Sequence, residues 1–535
     1  MAAIWICFLF RGWFYASMFP LWEGYDEFAH FGVIRAIAAK GILLPPRDQP
    51  GQRDVEESFK LVPAPWEVRG WSVFRSSLTE EAYWALPPGE RLEREARLRG
   101  IPASWARVDS ANGVSAYEAF QPPLYYWLMA PVLYLLKGSG LLAQVMWLRW
   151  IGVAIASAVV PLTFRIALAV TLRESVALGC AAVVALMPGF AIDVARVSNE
   201  PLSIALFTLL IWLGLRILNR APDARSAIAL GVVLGLGLLS KAYFLTAVPV
   251  VLLLLFYRYR KGWITGLTTC ASSMAIAGWW YVRNIMTTGT FSGLPEAVML
   301  GNTDVITRLP AIFHIPWVRA VNVILASHLY YCGWSALGAR GWMYHVFFAI
   351  AMLAALGLVM QLRLPAVVWL VALYGFFWLG QLYNVFLQFL ARGVVGAPGW
   401  YLYAAVACEV VLCAVGFGRF RMWAVALGAV LFGLLDLYGM HWLAIPYYTG
   451  IIGHRTNGTL APLHIGQYGS LGIGTVFERL AMNKPAAMTQ PFLGVLWILY
   501  LAGTILPMAM MLAMLRNSQS RQHLNAAHVE SPGPG

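Results

Sequence analysis

Runs of about 20 apolar residues follow one another along most of this 535-residue chain. A helix that crosses a bilayer needs roughly that length. In hydrocarbon no water is present to bond the backbone, so only helices or closed barrels can span it. The runs here are continuous rather than alternating, which excludes a barrel. The chain is therefore read as an all-α polytopic membrane protein. Its 60% hydrophobic and 12% charged residues agree, since no soluble core buries so much apolar side chain.

Basic residues set the expected topology. They cluster at Arg173, at Arg216/Arg220/Arg225, at Arg258/Arg260/Lys261, at Arg363, at Arg419/Arg421 and at Arg516/Arg521. Cytoplasmic loops carry the excess of Lys and Arg. If all six clusters face the cytoplasm, each interval holds an even number of apolar runs. The sum is about 12 transmembrane helices with both termini cytoplasmic. Such anchors absorb the net charge of +13, and no basic patch is interleaved with stacking aromatics, so nucleic acid is not an expected partner. The six cysteines lie mostly inside apolar runs and form no CxxC pair, which marks them as small buried residues. Arg11 interrupts the first run: either that span is short and Arg11 snorkels to the inner surface, or the native start lies upstream.

The chain divides into a transmembrane bundle (1–442) with an outer loop at 23–121, an outer segment (443–489), a last transmembrane helix (490–515) and a disordered cytoplasmic tail (516–535). The loop is long for a compact protein, which usually signals function. Its end, "QPPLYYWLMAPVLYLL", is read as an amphipathic helix along the outer interface over 122–136.

This topology gathers the unusual polar residues on the outer face. In "LWEGYDEFAHFGVIRAIAAKG" (21–41), helical spacing puts Asp26 and His30 on one face. Asp26 would serve as general base toward an acceptor hydroxyl. Alternatively Asp26, Glu27 and His30 hold a divalent cation such as Mg or Mn, or they form an acidic helix cap beside an interfacial His. In "ARVSNEP" a polar turn with Pro201 at the helix start accounts for Ser198 or Asn199, but not for Arg196 and Glu200 so near the bilayer. Lys241 breaks the apolar stretch "GLGLLSKAYFLTAVP" on the face where an anchoring Lys is least expected. Arg283, Arg340 and Arg392 are further outward cations. Cations opposite a carboxylate at one membrane surface suit a lipid phosphate or pyrophosphate.

Taken in order, "DE..H" after the first span, "QPPLYY" closing the loop, "RVSNE", "LSK" and "WWYVRN...TG" resemble the GT-C class of polyprenyl-phosphate-sugar glycosyltransferases. The likeness is to protein mannosyltransferases, aminoarabinose transferases and a bacterial branch beside them. It spans residues 20–300, and "GWYLY" at 399–403 more loosely. The resemblance implies a helical bundle with amphipathic helices in the first outer loop. It implies a hexosyl- or pentosyltransferase of the cell envelope, in the inner (plasma) membrane, with a periplasmic active site. Carried over residue by residue, Asp26 would be the base, with Glu27 and His30 beside it. Arg196, Asn199, Glu200, Lys241, Arg283 and Arg340 would bind the donor and its phosphate. Gln121, Tyr125, Tyr126 and the 122–134 helix would shape the acceptor cleft. Some branches require a divalent cation. The long charged first loop departs from the class pattern and leaves the acceptor open among glycan, lipid and protein. The rival readings are a transporter or flippase of lipid-linked glycans, a polymerase or ligase of the same substrates, and a scaffold.

Overall fold

The computed structural model describes residues 1–47, 49–101, 115–219, 223–258, 263–301 and 305–529. Among the described residues helices occupy the apolar runs, and strands are confined to two short pairs, Pro63–Ala64 with Leu78–Thr79 and Tyr331–Cys332 with Leu337–Gly338. Among the described residues seven helices are long and apolar enough to cross a membrane: Leu141–Thr171, Glu200–Asn219, Gly341–Gln361, Pro365–Arg392, Gly399–Gly416, Gly418–Tyr448 and Gln490–Asn517. An eighth is obtained if Glu174–Leu186 and Pro188–Val194, bent by 58°, form one span. The protein is therefore a multi-pass membrane protein. Ala2–Met18, Ala224–Leu238 and Ala242–Arg258 fall short of a full crossing. The first of these stops because Phe19 precedes Pro20 and adopts an extended conformation (ψ 134°). The 58° bend has a similar cause, since Pro188 has no N–H to give and its ring crowds the preceding turn.

Arg11 neither snorkels nor reaches a surface. It is fully buried and pairs with Asp436 at 2.8 Å, while its guanidinium also meets the carbonyls of Ala185 and Leu186. Asp436 accepts further bonds from Tyr15 (2.8 Å) and Thr504 (3.1 Å). The charge is retained in the bundle because Arg11 and Asp436 are paired with each other and with further hydrogen-bonding groups. The last helix, Gln490–Val529, runs past 515, where the sequence suggests disorder. The basic residues Arg220, Arg260 and Lys261 and the 102–114 stretch of the long loop lie outside the described residues.

The 23–121 segment builds a small core of its own. Glu27–Lys40 is buried on every side through Ile37 and ends at Gly41, in the left-handed region (φ 66°). Phe28, Phe31, Phe59, Phe74 and Trp22 pack there with Tyr125, Tyr126 and Leu133 of the helix Leu124–Leu135. A helix thus stands where one was expected over 122–136. One face enters the loop core and the other exposes Leu128, Tyr134 and Leu135. Buried Arg35 ties the loop together through Asp54 and through Gln144 at 2.6 Å.

A second link joins the loop to the Tyr331–Gly338 hairpin. Glu23 accepts from the Ser335 N–H and hydroxyl, both at 2.8 Å. Gly333 has φ +60°, and a Cβ there would lie 2.1 Å from the Glu23 carboxylate. Gly333→Ala is expected to lower the thermal midpoint in detergent. It adds ~1–2 kcal/mol of left-handed backbone strain and unseats a hydrogen-bonded carboxylate worth ~1–3 kcal/mol. Gly338→Ala, where a Cβ stands 3.4 Å from the Tyr344 hydroxyl, is the control expected to leave it unchanged.

Candidate active site

Asp26 is the residue before the helix Glu27–Lys40 and takes a left-handed conformation (φ 55°), which Asp tolerates better than most side chains. It does not cap the helix, as the bland reading of this stretch would have it. Its carboxylate instead accepts the Tyr117 hydroxyl at 2.5 Å. Burial raises its pKa, against the pull of Tyr117, Arg196, Lys241 and Arg392. The neighbouring Gly24 packs so closely on Arg196 that a Cβ would lie 2.5 Å from the Arg196 Cβ.

Glu27 turns the other way. It is fully buried in a two-point pair with Arg149, at 2.6 and 2.7 Å, and accepts the Val197 N–H at 3.0 Å. Arg149 also donates to the carbonyls of Ala16, Phe19 and Pro20 at the end of the first helix. Glu27 is thus a clamp between three segments. Asp26, Glu27 and His30 do not converge on one point, and no group of three potential metal ligands occurs among the described residues.

His30 faces the Asp26 side. Its Nδ1 shares a hydrogen bond with the Tyr126 hydroxyl at 2.9 Å, and its Nε2 lies 3.9 Å from Glu118. Burial, with the charges of Lys241 and Arg196, pushes its pKa well down, so the ring is neutral. Glu118 was not anticipated. It sits in the turn Tyr117–Phe120, is 6% exposed, and leaves Oε2 without a hydrogen-bond partner among the described residues. Burial and then the charge of Asp26 raise its pKa to about 8, opposed by Lys241, Gln121 and Arg196. A signal existed: Glu118 is the sole charged residue between Asp109 and Lys137. A lone carboxylate in so apolar a stretch needs a reason.

The cations are gathered, but most are already paired. Arg196 bonds Asp193 at 2.5 Å and the Tyr25 carbonyl at 2.7 Å, and lies over the stacked rings of Tyr25 and Trp400. Lys241 pairs with Glu200, donates to Asn199 at 3.0 Å and lies 4.9 Å from the Tyr401 ring centre. Asn199 in turn donates to the Ser240 carbonyl at 3.1 Å, and Tyr243 donates to Glu200 at 3.2 Å. Arg392 pairs with Glu296 at 2.7 Å. Arg340 is exposed at the start of Gly341–Leu358, and no contact ties it to this cluster.

Arg283 differs. It lies over Trp280 at 5.0 Å with no carboxylate partner among the described residues. With Gln121, Tyr126 and Trp280 it lines a cleft walled by Val33, Ile37 and Leu44. Beside it stands Arg47, which donates to the Gly293 carbonyl at 3.0 Å and keeps Nη2 buried and unpartnered among the described residues. Burial and the charge of Arg283 lower the Arg47 pKa. Gln121 and Tyr126, expected at an acceptor, thus share a cleft with Arg283, expected at a donor. Tyr125 is fully buried and does not line it.

The structure is thus that of a multi-pass helical membrane protein with an acid–base and cation cluster beside an apolar cleft. No protein-family model matches the chain. No curated protein matches it. Among solved structures it is similar to ArnT from Cupriavidus metallidurans bound to undecaprenyl phosphate, with TM-score 0.46 and 13% identity over 96% of this chain and 76% of that one. The apo state of the same protein gives 0.40 and 14%, over 89% and 74%. The archaeal oligosaccharyltransferase AglB from Archaeoglobus fulgidus, in complex with an inhibitory peptide and a dolichol-phosphate, gives 0.32 and 12%, over 90% and 56%.

Proposed function

We propose that this chain is an integral-membrane glycosyltransferase. It moves a hexosyl or pentosyl group from a polyprenyl-phosphate donor to an acceptor at the periplasmic face, with Asp26 as general base. The chain crosses the inner membrane about 12 times with both termini cytoplasmic. The observation that carries the reading is the position of Asp26. A half-buried carboxylate stands at a left-handed backbone position and faces buried cations, in a cluster whose Tyr126, bonded to His30, lines an apolar cleft with Arg283, which has no carboxylate partner among the described residues. A lipid phosphate has that chemistry, an apolar chain ending in an anion.

In this reading the acceptor hydroxyl approaches Asp26, whose raised pKa makes it a better base than an exposed Asp. The hydroxyl oxygen attacks the anomeric carbon and the lipid phosphate leaves, with inversion. Arg283 and Arg47 receive that phosphate, because they stand at or beside the cleft and are paired with no carboxylate among the described residues. Lys241 and Arg196, with Asn199 and Glu200, form the paired framework whose positive charge favours the ionised form of Asp26. Glu27 holds the helix that carries Asp26, and neutral His30 with Tyr126 braces its inner face. The acceptor is a glycan, lipid or protein.

Purified protein would be offered a mixed pool of polyprenyl-phosphate sugars, with and without EDTA. Release of polyprenyl phosphate is the expected result and names the donor. Tight binding with no release would overturn the reading in favour of a lipid-phosphate transporter. Arg283→Ala is expected to weaken binding of polyprenyl phosphate ~10- to 100-fold, the value of one lost charge-assisted bond. Titration by tryptophan fluorescence would measure it, and unchanged affinity would remove Arg283 from the site.

A further inference from the structure

We propose that Glu118 is a second catalytic residue of this site, a general acid that protonates the leaving phosphate while Asp26 deprotonates the acceptor. The inference rests on the glycosyltransferase reading above and extends it.

In the turn Tyr117–Phe120, Glu118 follows the residue that bonds Asp26 and precedes Ala119, which lines the cleft. On one side its neighbour Tyr117 holds Asp26 at 2.5 Å, and the Glu118 carboxyl itself feels the charge of Asp26. On the other side Gln121, whose N–H donates to the Glu118 carbonyl at 3.0 Å, lines the cleft that holds Arg283, as does Ala119. The carboxyl is 6% exposed, yet its Oε2 has no hydrogen-bond partner among the described residues. A buried polar atom left unpaired costs ~1–3 kcal/mol, and a functional site is where such a cost is retained. His30 is the nearest potential donor, 3.9 Å away, and it is neutral. The charged groups facing Glu118 are Asp26, Lys241 and Arg196; Tyr126 approaches only its backbone carbonyl, at 3.4 Å.

Two carboxyls in one buried setting cannot both ionise cheaply, so the pair holds one proton between them. Asp26, half-buried and bonded by Tyr117, takes the charge. Glu118, buried and with Oε2 unpartnered among the described residues, takes the proton. The step then balances. The acceptor O–H breaks and its proton passes to Asp26, while the acceptor oxygen bonds the anomeric carbon. The bond from that carbon to the phosphate oxygen breaks, and this oxygen takes the Glu118 proton. Polyprenyl phosphate leaves as the monoanion. The proton on Asp26 then returns to Glu118, and the pair is reset with nothing consumed.

The test is the pH dependence of transfer by the full-length protein in detergent, using the donor found active for the wild type. A raised carboxyl works as an acid below its pKa, so wild-type kcat should fall as pH rises through about 8. Glu118→Gln should lower kcat ~10²-fold, the lower range for one acid–base group. It should also abolish the alkaline fall while keeping the acidic limb of Asp26 and leaving affinity for polyprenyl phosphate unchanged. Glu118→Asp, which keeps an acid, should restore part of the rate and the alkaline limb. Wild-type kcat in Glu118→Gln, or a reduced kcat with the alkaline limb intact, would overturn the proposal and leave the transferase reading standing. Absence of transfer by the wild type at every pH would overturn both.

Discussion

Asp26→Asn is expected to lower sugar transfer ~10²- to 10⁴-fold, the loss that follows removal of a positioned base, with melting and detergent elution unchanged. The asparagine keeps the size of the side chain and the carbonyl oxygen that accepts the Tyr117 hydroxyl. It also tolerates the left-handed backbone at this position (φ 55°). What it cannot do is take a proton. The variant therefore separates base chemistry from architecture. Full activity would withdraw Asp26 from its proposed role, and a collapsed thermal midpoint would mean that its charge is structural. Glu27→Gln gives the contrast. Its charge is committed to Arg149, so the expected damage is to folding rather than to kcat.

Lys241→Met should destabilise the protein by ~3–5 kcal/mol, the cost of leaving one member of a buried ion pair alone. Met fills the space of the Lys stem but leaves the Glu200 carboxylate with Tyr243 in place of its cation, in a setting where Glu200 is 1% exposed. The double variant Lys241→Met/Glu200→Gln should recover most of that loss, because the orphaned charge is gone. The comparison decides between two roles. If Lys241 met the donor phosphate directly, the single variant would keep its stability and lose affinity for polyprenyl phosphate. Chemical denaturation in detergent, read beside that affinity, distinguishes them.

The sequence specified the membrane class through the length and continuity of its apolar runs, because hydrocarbon permits one solution for a continuous run. It also specified the helix at Leu124–Leu135, since a Pro pair followed by an aromatic stretch leaves few alternatives. The polar stations Asp26, His30, Arg196, Lys241 and Arg283 were legible for a similar reason, as charge is costly in apolar surroundings and stands out. Partnership was not legible. Glu27 and Asp26 are adjacent and chemically alike, yet one is clamped by Arg149, 122 residues on, while the other faces Tyr117 and the cations. Arg196, Lys241 and Arg283 read alike as phosphate ligands, and only packing reveals that the first two are neutralised by Asp193 and Glu200. Arg11 read as a misplaced anchor because Asp436 lies 425 residues away. Ionisable residues announce themselves locally through desolvation, but what each one pairs with is set by contacts distant in the chain. That is why this sequence by itself determined a helical membrane protein and which polar residues stand out in it, and why only the tertiary structure decided which of those charges are already paired.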